Sequence, residues 1–165
     1  MPVAILLLAV HETLRRELAG FEKRVRSIAR SDGRVRLLMS TPGVGPIVAL
    51  TYVAAIDDPA RFKSSKGVEA HFGLTPKKYQ SGETDITRRI SKIGDEGVRT
   101  ALYEAGHIIL TQPLKGCTTL KSWAMRVAKR AGMKKAKVAL ARKLAVIMHR
   151  MLIDGTQFAS AAVAA

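Results

Sequence analysis

The sequence predicts an all-α protein, and three observations support this fold class. Apolar residues recur at three- and four-residue steps in most segments, which is the period of an amphipathic helix. Proline and glycine interrupt these segments where helices would begin and end. The chain of 165 residues is 47% hydrophobic and 25% charged, a composition typical of a folded domain and not of a disordered one.

The first predicted helix is long and amphipathic. Between Val3 and Arg30 the apolar residues at helical spacing are Leu7, Val10, Leu14, Leu18, Phe21, Val25 and Ile28. Charged residues lie between them, as in a coiled-coil arm. Such a stripe is often part of an intramolecular core, but an arm of this length in a small chain more often needs a partner helix. We therefore expect a homo-oligomer formed through residues 1–36, the first of three predicted units.

A glycine turn lies between a short helix at Arg34–Met39 and a longer helix that begins at Pro46. Proline suits the first turn of a helix, and glycines allow a tight hairpin there. Together they resemble a helix-hairpin-helix motif, in which the turn Gly43-Val44-Gly45 would present peptide N–H groups to a DNA phosphate. A turn of this kind also serves simply to end one helix and start another, and both interpretations stay open.

The segment from Gly73 to Ile93 departs from the helical pattern. It is polar and basic, with neither helical nor sustained strand periodicity, so the sequence predicts a long basic loop that carries Ser81. Loops of this length in compact domains are usually functional or disordered. Apolar anchors such as Tyr79 and Ile86 favour an ordered, functional loop. Its candidate nucleic-acid contacts are Lys77, Lys78, Arg88, Arg89 and Lys92.

The remaining segments again have a helical period. We expect a short helix over 66–72, a helix over 95–110 that Pro113 closes, a helix from Thr118 or Thr119 to 130, and a last helix over 134–153. The basic face of the last helix is either solvated or follows a phosphate backbone. Together these segments define a second unit, 37–155, and the small residues that follow predict a frayed tail, 156–165.

Charge points to a polyanionic partner. The chain has 28 Lys and Arg against 13 Asp and Glu, a net charge of +15, so nucleic acid is the first partner to consider and an anionic membrane the second. A single cysteine, Cys117, excludes an intrachain disulfide, and the four histidines show no metal-ligand spacing. The apolar run at residues 2–10 is too short to span a bilayer. We expect a cytoplasmic protein without a membrane partner.

Several motifs in a fixed order make the sequence resemble a known family. They are Leu-Met-Ser-Thr-Pro-Gly-Val-Gly-Pro, Phe-Lys-Ser-Ser-Lys, Gly-Leu-Thr-Pro-Lys-Lys-Tyr-Gln-Ser-Gly-Glu, Arg-Arg-Ile-Ser-Lys-Ile-Gly and Val-Arg-Thr-Ala-Leu-Tyr-Glu-Ala. From Leu37 to Asp154 the chain resembles the C-terminal transposase domain of the one-hundred-and-ten family of bacterial insertion sequences. Ordered motifs are more specific than any one glycine turn.

The resemblance implies an activity and its partners. In this family a serine nucleophile cuts and rejoins DNA chosen by a structured guide RNA, and the serine of the Tyr-Gln-Ser-Gly-like motif falls on Ser81. An RNase-H-like domain supplies the acidic residues that bind magnesium, and this sequence does not contain that domain. We therefore expect no cofactor in this chain and no activity of the chain alone. A phosphate contact at Gly94 is also implied, although Asp95 stands where the family usually has Asn.

The chemistry of the residues is compatible with this role but does not require it. A hydroxyl beside a glycine can reach a phosphodiester, whereas an isolated Ser-Gly is ordinarily a turn. No general base adjoins Ser81, and the neighbouring Glu83 and Asp85 would hold magnesium poorly. The cations Arg88, Arg89 and Lys92 would hold either the scissile phosphate or the backbone beside it. Two alternatives are a non-catalytic helix-hairpin-helix module and a helical protein that binds membranes or partner helices.

Overall fold

The computed structural model describes residues 2–81 and 84–159, without the side chains of 2, 78–81 and 84–89. Its elements, in chain order, are α1 (Pro2–Ser31), α2 (Gly33–Leu38), α3 (Pro46–Ile56), a 3₁₀ turn (Pro59–Arg61), α4 (Ser65–His71), β1 (Pro76–Ser81), β2 (Thr84–Ile90), α5 (Glu96–Thr111), α6 (Thr118–Ala131) and α7 (Met133–Asp154). Helices dominate, as the sequence predicts, and each predicted helix is present with similar bounds.

Two aspartates explain where helices begin. Asp32 Oδ1 accepts hydrogen bonds from the Arg34 and Val35 amides at 2.8 and 3.3 Å, and so caps α2. Burial opposes ionisation of Asp32, but these amides and the Arg34 guanidinium outweigh it and hold the pKa of this carboxyl below its ordinary value. Asp95 Oδ1 likewise accepts from the Val98 amide at 3.0 Å and caps α5.

The predicted loop from Gly73 to Ile93 is wrong in one respect, because much of it is an antiparallel hairpin. Strand β1 pairs with β2, with Tyr79 opposite Ile86 and Ser81 opposite Thr84. Near the base of the hairpin the register of strand pairing shifts between residues 76 and 78. The strands carry few apolar residues and no alternating apolar face, so the period-2 signal of a strand is absent from the sequence.

Helix α7 forms the centre of the helical body. It packs against α2, α4, α5 and α6, and its buried residues are Ala136, Leu140, Ala141, Leu144, Ala145, Met148, His149 and Met151. Tyr52 of α3 is fully buried and donates its hydroxyl to the Ala145 carbonyl oxygen at 2.5 Å. Burial raises the pKa of Tyr52 well above its ordinary value, so this hydroxyl stays a donor.

Polar side chains attach α4 and the 3₁₀ turn to α7. Arg142 forms a two-pronged ion pair with Glu69, with its Nε 2.7 Å from Oε2 and its Nη2 2.9 Å from Oε1. His149 lies 2.9 Å from both the Ser65 hydroxyl and the Pro59 carbonyl oxygen. Since that carbonyl only accepts, His149 Nε2 donates to it. His149 is therefore a structural residue, the usual role of a lone helical histidine.

The two ends of the chain differ in how they meet this body. Helix α1 contacts α2 and α3 through its last turns, where Ala29 is buried, while most of its apolar residues are exposed. The predicted tail is described as far as Ala159. Within this part, the Phe158 amide donates to Ser40 Oγ at 3.0 Å, and its ring packs on the core.

Candidate nucleic-acid interface

The hairpin is held at its base by close backbone contacts. The Ser91 amide donates to the Thr75 carbonyl oxygen at 2.8 Å, and the Lys92 amide donates to the Gly73 carbonyl oxygen at 3.0 Å. Gly73 has a φ of 65°, and a Cβ there would overlap the Ile93 carbonyl oxygen. Only glycine allows the chain entering the hairpin to lie this close to the chain leaving it.

Arg99 joins the hairpin base to the first turn of α5. Its Nη1 donates to the Gly94 carbonyl oxygen at 2.8 Å and to the Phe72 carbonyl oxygen at 3.2 Å. One guanidinium therefore holds both chain segments that flank the hairpin. Sequence reasoning missed this residue, whose only signal is its position in the Val-Arg-Thr-Ala motif after the basic segment.

The strand register brings four of the predicted contact residues together. Lys78 pairs with Thr87, so Lys77 and Lys78 on β1 lie beside Arg88 and Arg89 on β2. These positions lie in the half of the hairpin nearer its base. We call these four positions the basic block; the side chains of Lys78, Arg88 and Arg89 lie outside the described part of the structure.

Ser81 lies at the other end of the hairpin. It is the last residue of β1 and pairs with Thr84, and its side chain, Gly82 and Glu83 lie outside the described residues. At 3.3 Å per residue, Arg88 is about 13 Å along β2 from the partner of Ser81. That distance is about four steps of a DNA strand at 3.4 Å per step. The basic block and the serine therefore occupy different positions along the hairpin.

Two further predicted contact residues, Gly94 and Lys92, lie at the hairpin base. Gly94 has a φ of 120°, and a Cβ there would overlap the His71 carbonyl oxygen. Lys92 is exposed and has a φ of 56°, a left-handed conformation that is uncommon for lysine. Gly94 is therefore required by packing, whereas the lysine at position 92 is not explained by its backbone conformation.

The Gly43-Val44-Gly45 turn connects α2 to α3, and its three residues differ. Gly43 has a φ of 82°, and a Cβ there would be 2.8 Å from Ile109 Cγ1. Val44 is buried, and its amide donates to the Thr41 carbonyl oxygen at 3.1 Å. Gly45 has a negative φ and open space around its Cβ position. Packing therefore explains Gly43 and Val44 but leaves Gly45 unexplained.

Gly45 also lies at the start of α3. No side chain caps this helix, and Pro46 occupies its first turn. The first amides of an α-helix have no intrahelical acceptor, and the positive end of the helix dipole lies beside them. Such a terminus favours an anion.

The turn and the hairpin lie apart in the structure. Gly43 contacts Ala105 and Ile109 in the second half of α5, while Arg99 attaches the hairpin to the first turn of α5. From Arg99 to Ile109 the helix rises about 15 Å. The two candidate surfaces for phosphate contact, the start of α3 and the hairpin, are therefore separate.

A third basic region lies on α6 and α7. No Asp or Glu occurs between Glu104 and Asp154, whereas this stretch holds eleven Lys and Arg residues. The exposed cations near the Gly132 turn are Arg126, Lys129, Arg130, Lys134 and Lys135. Not all cations of the stretch are available, because Arg142 is paired with Glu69 and Lys143 lies 4.8 Å from the Trp123 ring. Sequence analysis considered only the α7 face, although the acid-free stretch is visible in the sequence.

The described residues do not supply a metal cage. Among them, no group of three or more His, Cys, Asp or Glu side chains lies close enough to hold an ion. Asp85 pairs with Gln80 in the hairpin register. No helix in the described part of the chain is long and apolar enough to cross a membrane.

One known protein family matches residues 35–115 of this chain. These residues run from within α2 to just beyond α5 and include both the glycine turn and the hairpin. The matched proteins are transposases. The chain belongs to the Transposase IS116/IS110/IS902 family.

Individual transposases are similar over most of the chain. The transposase for insertion sequence element IS1111A of Coxiella burnetii is 33% identical over 144 residues, covering 86% of this chain and 39% of that protein. A Sinorhizobium fredii protein named as a transposase is 32% identical over 160 residues, covering 94% and 41%. The transposase for insertion sequence element IS1328 of Yersinia enterocolitica is 26% identical over 142 residues, covering 86% and 42%. The chain thus spans about two fifths of the length of these relatives.

Proposed function

We propose that this chain is the DNA-binding part of a transposase and that Ser81 is the nucleophile that cuts DNA. Membership of a transposase family supports the general activity. The observation that carries the specific proposal is the position of Ser81 at the end of a strand pair whose base is tied to the helical body. A serine near the tip of such a hairpin can approach a phosphodiester, while the base keeps the hairpin in place.

The reaction would proceed by exchange of phosphoester bonds. The Ser81 hydroxyl oxygen attacks phosphorus, the bond from phosphorus to one deoxyribose oxygen breaks, and that oxygen takes up a proton. The hydroxyl proton passes to a base. Attack by the free hydroxyl of another DNA end reverses the exchange, restores Ser81 and joins the two DNA ends. No net oxidation or hydrolysis is needed.

Activation of Ser81 would come from outside the described residues. A serine hydroxyl is a poor nucleophile at neutral pH unless a base or a metal activates it. The resemblance implies that magnesium bound to an RNase-H-like domain has this role and that a guide RNA selects the DNA. We therefore expect this chain, presented alone, not to recombine DNA.

The basic residues would hold the DNA backbone on either side of the reaction. Because Arg88 is about four nucleotide steps from the serine end of the hairpin, we assign Lys77, Lys78, Arg88 and Arg89 to phosphates beside the scissile one. Lys92 would bind further along the same strand. We infer that these residues position DNA and do not stabilise the transition state.

The runner-up function is a helix-hairpin-helix module that holds DNA without cutting it. The uncapped start of α3 beside Gly45 favours it, since peptide amides there can contact a phosphate without reading sequence. We narrow this contact to Gly45 and the first turn of α3, because the Val44 amide already has an acceptor. This contact is also compatible with the leading proposal.

Trapping a covalent protein–DNA complex separates these two functions. We would combine the chain with a family RNase-H-like domain, magnesium, guide RNA and labelled DNA, and detect the ester by denaturing electrophoresis. Ser81→Ala should abolish the covalent band while leaving DNA affinity within about twofold. Ser91→Ala at the hairpin base is the matched control and should retain the band. A covalent band in Ser81→Ala, or loss of DNA binding in that variant, would overturn the catalytic assignment.

A further inference from the structure

Helix α1 presents a regular apolar seam that nothing in the described chain covers. Leu7, Leu14, Phe21 and Ile28 recur every seven residues, and their exposed fractions are 64, 64, 58 and 55%. Single exposed apolar residues are common, but a continuous seam along a helix marks an interaction surface. The sequence predicts a homo-oligomer through this helix and leaves the direction of pairing open.

The spacing assigns a heptad register to the helix. With the four residues above at position d, position a is occupied by Ala4, His11, Leu18 and Val25. The outermost position, f, carries Ala9, Arg16, Lys23 and Arg30. Apolar residues at every d position and at three of the four a positions, with mostly basic residues at f, are typical of a coiled-coil seam, and His11 is the one polar residue in it.

Charges beside the seam distinguish one direction of pairing from the other. Arg15 and Glu22 occupy position e, and Glu17 and Arg24 occupy position g. Residues at e and g lie next to the partner helix and therefore set its orientation. They are the four charged residues of α1 at these two positions.

A parallel pair would place like charges together. In a parallel coiled coil, position g of one helix faces position e of the next heptad on its partner. Glu17 of one copy would then face Glu22 of the other, twice in each dimer. Each of the other g–e contacts would join a charged residue to an apolar one, or two apolar residues, and would not offset this repulsion.

An antiparallel pair would place opposite charges together. In this direction e faces e and g faces g, and the register that sets Leu18 opposite Phe21 brings Arg15 beside Glu22 and Glu17 beside Arg24. The symmetry of the dimer makes each contact occur twice. A shift of one heptad in one direction instead places Arg15 beside Arg15 and Glu17 beside Glu17. A shift in the other direction places Glu22 beside Glu22 and Arg24 beside Arg24. Both shifts bring like charges together.

We propose that α1 binds α1 of a second copy of this chain as an antiparallel coiled coil, with Leu18 of each copy opposite Phe21 of the other. His11 then lies opposite Ile28, and the two helical bodies lie at opposite ends of the coil. The ion pair within one helix between Glu22 and Arg26, 3.3 Å apart, is more than half exposed and is too weak to compete strongly. This inference does not depend on the role of Ser81.

Cysteine cross-linking of the full chain tests the direction. Chains carrying His11→Cys are mixed with chains carrying Ile28→Cys and oxidised, with the natural chain, whose Cys117 is buried, as the control. We expect a disulfide between the two variants and none within His11→Cys alone, since the two His11 positions would be about 25 Å apart. A disulfide dimer of His11→Cys alone would show parallel pairing and overturn the proposal. A chain that stays monomeric at micromolar concentration would also overturn it.

Charge reversal tests the register. Arg15→Glu or Glu22→Arg should each weaken the dimer about tenfold, because two attractive contacts become repulsive. The double variant should recover the original dissociation constant within about twofold. Arg16→Glu, at the outer position f, is the matched control and should leave the dimer unchanged. Failure of the double variant to recover would exclude this register even if α1 dimerises.

Discussion

The two glycines of the α2–α3 turn show how one residue type serves two purposes. Gly43 is required by its positive φ and by its contact with α5, whereas neither constraint applies to Gly45. A larger residue at position 43 therefore affects folding, while one at position 45 affects whatever approaches the start of α3. The sequence alone treats the two glycines as equivalent.

This difference gives a prediction for two substitutions. Gly43→Ala should lower the free energy of unfolding by at least about 1–2 kcal/mol, the usual cost of a left-handed non-glycine residue, because the overlap with Ile109 adds to that cost. Gly45→Val should lower the free energy of unfolding by less than about 1 kcal/mol, because its surroundings are open although valine is a poor residue at the start of a helix. It should weaken DNA binding severalfold by keeping a phosphate from the amides. Chemical denaturation and fluorescence anisotropy measure the two effects. Normal DNA affinity in a folded Gly45→Val would contradict the proposed phosphate contact.

At the level of elements, the hairpin depends on residues outside its strands. Its two strands form a single sheet of two, and isolated hairpins are marginal in water. The contacts of Gly73, Gly94 and Arg99 at the base replace the stabilisation that a larger sheet would give. A guanidinium that donates to two carbonyl oxygens is the strongest of these contacts.

Removing that guanidinium should loosen the hairpin selectively. Arg99→Ala is expected to lower the free energy of unfolding by about 1.5–3 kcal/mol, in the range for hydrogen bonds to charged groups. Hydrogen exchange should accelerate at the amides of Ser91 and Lys92 and stay nearly unchanged in α7. Arg126→Ala, on the exposed face of α6, is the control and should change neither quantity. Equal acceleration throughout the chain would show that Arg99 supports the whole fold and not the hairpin in particular.

At the level of the whole molecule, three surfaces are candidates for phosphate contact. The hairpin, the start of α3 and the α6–α7 turn are carried by different elements that all pack, directly or through α5, on α7. A single nucleic acid that touches all three surfaces must be long or bent. Alternatively, a DNA and an RNA bind to different surfaces. The +15 net charge is therefore distributed and not confined to the candidate catalytic hairpin.

The charge distribution predicts how binding responds to salt. Each neutralised phosphate contributes about −0.9 to the slope of log K against log salt on duplex DNA. Changing both Lys134 and Lys135 to Gln should reduce the magnitude of the slope by about 2 if the α6–α7 turn binds the DNA backbone. Both side chains are exposed, so stability should hardly change. An unchanged slope would remove this turn from the DNA interface, and an affinity indifferent to salt would argue against phosphate binding altogether.

The sequence by itself determined the helices, the positive charge and the family. Helical period, proline starts and glycine stops are local properties, so they predicted the bounds of α1, α3, α5, α6 and α7 without tertiary information. The heptad spacing of α1 is local in the same sense. The ordered motifs identified the family because they cover the hairpin and both of its neighbours.

Only the tertiary structure decided which candidate residues are free to bind. Val44 is in the core, Arg142 is held by Glu69, and Gly94 is required by the His71 carbonyl, and each contact joins residues from separate segments. The strand pairing and the role of Arg99 likewise could not be predicted from the sequence. A polar two-stranded hairpin needs no alternating apolar face, and this one is stabilised by backbone contacts at its base, outside the two strands. Local pattern reveals what a segment prefers, whereas burial and pairing depend on which segments meet.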